Sequence, residues 1–100
     1  MSGALLAGNA GLAQWLNGAE DDGRVAVGQV YRAQMPAERD ASTLLRLLAA
    51  PAFGSPEQCA AWVRAQVAAD FTAGRLVVVR RWLLSVTEAR LCALGASIRS

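Results

Sequence analysis

Eight carboxylates, ten guanidinium groups, two thiols and one phenol are the only side chains in this 100-residue chain that could carry or relay charge, because histidine and lysine are absent. Without an imidazole there is no ordinary general base at neutral pH. That excludes the serine and cysteine triads and the histidine-built zinc sites. Cys59 and Cys92 cannot complete a four-ligand zinc site within one chain. No G-x-G-x-x-G or P-loop spacing is present to cradle a phosphate. The run Glu20-Asp21-Asp22 lies in a stretch, GAEDDGR, that reads as a solvated loop with Asp22-Gly23 as its turn signal. The expectation is a chain that is not an enzyme and holds neither metal nor cofactor.

What charge and aromatic surface there is suits contact. Asp70 is expected on the inner side of a helix that begins at Ser55, where a carboxylate is costly unless paired or hydrogen-bonded. Arg75, just past Gly74, can fold back to it, so Asp70 and Arg75 are expected as a structural pair at the corner between helix and hairpin. Arg80 and Arg81 occupy the tip of an expected hairpin, although a two-residue connection prefers Asn-Gly or Asp-Gly. Either the loop is longer than two residues or its backbone is strained. An exposed arginine pair beside Trp82 could dock on carboxylates or phosphates. Among the three tryptophans, Trp62 reads as core, whereas Trp15 and Trp82 are candidate interface anchors.

These residues must be positioned by short elements. Residues 3–17 put Leu5, Leu12, Trp15 and Leu16 on one helical face, with Gly8 and Gly11 weakening the helix. The apolar face of this segment is therefore expected to seek a partner. Residues 25–35 can be read two ways: Val27, Val30, Tyr31 and Gln34 recur at helical spacing, whereas Val25 and Val27 alternate like a strand, and the helix is favoured. Pro36 reads as a first-turn residue, and the stripe Ala41, Leu44, Leu45, Leu48 reads as an amphipathic helix ended by Pro51. Ser55-Pro56 with Gln58 is a helix start, and its inner face carries Cys59, Trp62, Val63 and Val67. Leu76–Val79 and Trp82–Leu84 form a hairpin pattern. Ser85 and Glu88 make a second capping box, opening a helix with Leu91, Leu94 and Ile98 on one side. The fold expected is mainly α: four or five short helices with one small β-hairpin before the C-terminal helix. It forms a single domain over 1–100, with 1–23 weakly structured or partner-dependent.

The segment 70–91, DFTAGRLVVVRRWLLSVTEARL, resembles a group of short bacterial proteins with the pattern D-F-x-x-G-R-x-V-x-V-D-G-W-x-L-S-x-T-E-A-R. Upstream, Val27-Gly28-Gln29-Val30-Tyr31 and Pro36-Ala37-Glu38-Arg39-Asp40 are similar to the first half of that group, so the likeness covers about residues 25–95. Some members look like exported companions of periplasmic oxidoreductases, often with a twin-arginine leader. The resemblance implies an accessory subunit of an oxidoreductase complex. Two departures are read: no such leader is expected from the sequence as given, and Arg80-Arg81 stands where the pattern has Asp-Gly.

Composition supports contact with another macromolecule. Hydrophobic residues make up 54% of the chain and charged residues 18%, below the roughly one quarter usual for soluble domains. Such an excess is often covered by a partner. Residues 1–23 contain three acids and no base, whereas 71–100 contain five arginines against Glu88 alone, so the two ends can steer a partner. Met1–Leu16 has no positive n-region and is too short and interrupted to span a bilayer. The expected place is the cytoplasm, or the periplasm by export with a partner. The two cysteines are expected as buried thiols. The favoured function is a non-catalytic small subunit, assembly factor or accessory protein of a larger bacterial enzyme, with a larger protein subunit or a second copy as partner. The alternatives are a nucleic-acid-binding module using the basic hairpin and last helix, and a self-associating structural protein. With only Arg90 and Arg99 on that helix, nucleic acid is the less favoured partner.

Overall fold

The computed structural model describes residues 6–19 and 22–99. In chain order these form α1 (Ala10–Gly18), α2 (Asp22–Gln34), a 3-10 turn (Pro36–Glu38), α3 (Ala41–Leu48), α4 (Pro56–Ala73), β1 (Leu76–Val79), β2 (Trp82–Ser85) and α5 (Val86–Arg99). The architecture is mainly helical, with five helices among the described residues and an antiparallel hairpin immediately before the last of them.

Local capping chemistry sets most of the boundaries. Ser55 Oγ accepts from the Gln58 N–H at 3.2 Å, and Gln58 Oε1 accepts in return from the Gly54 N–H at 2.7 Å. Pro56 fills the first helical position, where its missing N–H costs nothing. Ser85 repeats the device for α5, accepting from the Glu88 N–H at 3.0 Å. For α3 the cap is Asp40, which takes the Thr43 N–H at 3.2 Å. Pro36 therefore opens only the short 3-10 turn. The helix ends at Leu48, with Ala49 in left-handed backbone (φ 50°), before Pro51 is reached.

Two sequence expectations are corrected. Asp22 and Gly23 belong to the first turn of α2 rather than to a loop turn. Of the helix expected over 3–17, residues 6–9 are not helical and residues 3–5 lie outside the described residues: the helix runs Ala10–Gly18, and Asn9 caps it by accepting from the Leu12 N–H at 3.3 Å. The same Asn9 side chain accepts from the Phe53 N–H (2.9 Å) and donates to the Pro51 carbonyl (3.0 Å), tying α1 to the loop before α4. Gly11 is at the point of contact: its N–H donates to the Phe53 carbonyl, and an added Cβ would lie 2.6 Å from Phe53 Cβ. The glycine that weakens α1 as an isolated helix is what lets it dock.

The centre of the molecule is α5. Every residue from Leu91 to Ala96 is buried, as is Ala89. Its burial on nearly all sides removes the one-sided stripe that the sequence suggested, and small residues let neighbours approach closely. Gly28 of α2 packs where an added Cβ would run into the Cys92 carbonyl. Leu12, Leu44, Leu91, Leu94, Val79 and Cys59 fill the remaining core. Phe53 and Trp62 cover one end with rings 5.7 Å apart and tilted by 54°.

The hairpin pairs Leu76 with Ser85 and Val79 with Trp82, leaving a two-residue connection. Arg80 and Arg81 both adopt positive φ, 52° and 71°, the backbone that a two-residue turn matched to strand twist requires. The loop is thus as short as drawn, and the arginines hold it at a cost on the order of 1–2 kcal/mol per residue. Val79 is buried on the inner face, while Val78 and Leu83 stand exposed on the outer one. Gln34 Nε2 reaches across to donate to the Val78 carbonyl at 3.1 Å, covering the outer edge of β1.

Candidate interaction site

Asp70 sits at the corner where α4, the hairpin and α5 meet, with only 3% of its surface exposed. Oδ1 accepts from Arg75 Nε at 2.9 Å and Oδ2 accepts from the Thr87 N–H at 2.8 Å. The carboxylate therefore serves the first turn of α5, where the helix dipole favours negative charge. Backbone bonds close the corner: Arg75 N–H donates to the Asp70 carbonyl, and Val86 N–H to the Arg75 carbonyl. Burial pushes the Asp70 carboxyl up, but hydrogen bonds from Thr87, Arg75 and Ser85 outweigh it, and the net shift is downward. Every oxygen has a structural task, so Asp70 and Arg75 build the corner.

A second cluster was not foreseen from the sequence. Glu38 Oε1 accepts from both Tyr31 Oη (2.8 Å) and Arg90 Nε (2.9 Å), joining α2, the 3-10 turn and α5. The Arg90 hydrogen bond is the main cause holding the Glu38 carboxyl below its ordinary range, opposed by burial and assisted by Tyr31. Tyr31 is 2% exposed, and burial together with the Glu38 hydrogen bond pushes its phenol up to about 12. A phenol held neutral in this way is a poor base at neutral pH. Cys59 is likewise pushed up to about 11 by burial and is a packing thiol. Cys59 and Cys92 are both buried and are not joined in a disulfide. Among the described residues no group of three or more potential metal ligands lies together.

The interface candidates separate into two sets. Leu12 and Leu16 are buried in the chain's own core, at 0% and 6% exposure, so they are corrected from partner anchors to core residues. The reason is the Asn9–Gly11 junction, which docks α1 with its apolar face inward. Leu5 lies outside the described residues. Trp15, Arg80 and Trp82, by contrast, line two adjoining furrows, while Arg81 is exposed at the hairpin tip. Between β2 and the starts of α2 and α5 runs a furrow of about 460 Å³, lined by Arg24, Val27, Arg80, Trp82, Leu84 and Glu88. A second furrow of about 420 Å³ shares Arg24 and Glu88 with it and continues along α4 past Trp15, Arg64 and Val67. The Arg24 guanidinium stacks over the Trp15 ring, 5.5 Å from its centroid. Trp82 is 67% exposed at the other end. The floor of this face is apolar, and among the described residues Arg24, Arg64, Arg80 and Glu88 are its charged lining. Glu88 and the buried Cys92 supply the carboxylate and the thiol that line the first furrow among the described residues.

Sequence reasoning named both tryptophans and the arginine pair but missed Arg24 and Arg64. Those two lie on α2 and α4, and nothing in their own segments marks them as facing the same furrow. Among the described residues no helix is long and apolar enough to cross a membrane. Compared with known proteins, the chain matches no family model, no curated protein and no solved structure.

Proposed function

We propose that this chain is a non-catalytic accessory subunit or assembly partner of a larger enzyme, with an oxidoreductase complex as the class suggested by the resemblance of residues 70–91. The observation that carries the reading is the joined pair of furrows between Trp15 and Trp82, apolar at the floor and basic at the rim. Large aromatics beside arginines are the usual anchors of protein interfaces. The buried Asp70 and Tyr31 and the half-buried Glu38 hold elements together. The same reading accounts for the exposed Trp82, which faces the furrow, whereas Val78 and Leu83 pair on the opposite face of the hairpin and form a separate exposed apolar patch.

Affinity purification from the native host tests it. A larger enzyme chain should co-elute in stoichiometric amount, and the isolated small chain should turn over no substrate of that enzyme. A monomer that retains no partner under native salt contradicts the proposal.

A further inference from the structure

The hairpin tip holds strained backbone and exposed charge at the mouth of a cavity. Arg80 and Arg81 keep left-handed conformations that arginine rarely adopts. Strain of this kind persists where the surrounding structure imposes it, and it concentrates at functional positions. Trp82 follows directly and is the most exposed large apolar side chain among the described residues. The furrow below is lined by Arg24, Arg80 and, among the described residues, one carboxylate, Glu88. The other clusters in the molecule offer less. Tyr31, Glu38 and Arg90 satisfy one another, and Cys59 is enclosed.

We propose that the Arg80-Arg81 turn and the furrow beneath it dock an acidic, partly apolar segment of a larger protein. Carboxylates of that segment meet the arginine forks, whose planar geometry suits bidentate pairing. An apolar side chain of the same segment enters between Trp82, Leu84 and Val27. A nucleic acid fits less well, because its phosphates have no use for the apolar seat and Arg90 of α5 is already paired to Glu38 rather than extending a basic track. The inference rests on the accessory-subunit reading and names the surface and the partner chemistry that reading leaves open.

The test uses fluorescence anisotropy with a labelled hexapeptide alternating Glu and Val, and a control peptide with Lys in place of Glu. Three proteins are compared: wild type, Arg80→Asn/Arg81→Gly and Trp82→Ala. Asn-Gly is the favoured pair for this turn, so the double variant keeps the hairpin, which circular dichroism verifies. The Glu-Val peptide should bind wild type, weaken with added salt, and lose about tenfold or more in affinity with either variant. The Lys-Val peptide should not bind. Four results overturn the proposal: no binding at millimolar peptide, equal binding by all three proteins, tighter binding of a single-stranded oligonucleotide, or self-association that Trp82→Ala abolishes. Co-purification separates this inference from the broader one. A larger chain retained equally by wild type and by Arg80→Asn/Arg81→Gly removes this docking site and leaves the accessory role. Loss of that chain in the double variant and in Trp82→Ala, with retention by wild type, supports both.

Discussion

Asp70 and Arg75 show how unequal two partners of one ion pair can be. Asp70 is buried and serves a backbone N–H as well as Arg75, whereas the Arg75 side chain is 55% exposed. Asp70→Ala strands the Thr87 N–H and is expected to lower unfolding free energy by about 2–3 kcal/mol. Arg75→Ala should cost about 1 kcal/mol or less, as for exposed pairs generally. Urea denaturation of both variants measures the difference, and equal losses would contradict this account of the corner. The pH dependence follows from the same groups. Asp70 and Glu38 have carboxyls shifted down on folding, so their contribution is present above about pH 4 and is lost as pH falls through the folded values. Tyr31 and Cys59 are shifted up, to about 12 and about 11. Their contribution is complete below the unfolded values and disappears as pH rises, between 9 and 11 for Cys59 and between 10 and 12 for Tyr31. Stability measured against pH should therefore form a plateau from about 5 to 9, and Tyr31→Phe should remove the upper part of the alkaline loss. Of these residues the sequence exposed Asp70 and Arg75, five positions apart across a glycine. The Glu38–Arg90 pair spans 52 residues, and no local spacing announces it.

Elements were legible where their signals are local. Ser55-Pro56, Ser85-Glu88 and the apolar runs on either side of Arg80-Arg81 mark their own boundaries, and the helices and hairpin stand there. Misreadings occurred where a tertiary contact decides the outcome. Asp22-Gly23 carries turn chemistry but joins α2, which packs against α5. The centrality of α5 was hidden because a helix buried on all sides has no stripe to display. Its packing gives a sharp prediction. Gly28→Ala should gain about 1 kcal/mol of helix propensity yet force α2 off the Cys92 carbonyl, for a net loss of about 2 kcal/mol. Thermal unfolding of the variant would show a lowered Tm; an unchanged or raised Tm would mean the two helices are not in contact there. The hairpin should respond in the opposite sense. Arg80→Asn/Arg81→Gly relieves two left-handed arginines and should raise stability by about 1–2 kcal/mol, read as a higher urea midpoint.

At the scale of the whole molecule, the apolar excess of the sequence divides in two. Most of it surrounds α5, and α1 contributes by burying Leu12 and Leu16 against the same core. The N-terminal helix is thus part of the domain from Ala10 onward, although its glycines suggested dependence on a partner. The remainder stays outside, in the hairpin patch and the furrows between Trp15 and Trp82. That face joins residues from α1, α2, α4, β2 and α5, which is why single-segment reasoning recovered only its two ends. Hydrogen–deuterium exchange on the chain alone and in its co-purified complex tests most directly whether this face meets the partner. The account predicts slowed exchange in residues 80–84 and 24–27 on complex formation, with α3 unaffected. Protection confined to the outer side of α3, with the hairpin exchanging as fast as in the isolated chain, would contradict it.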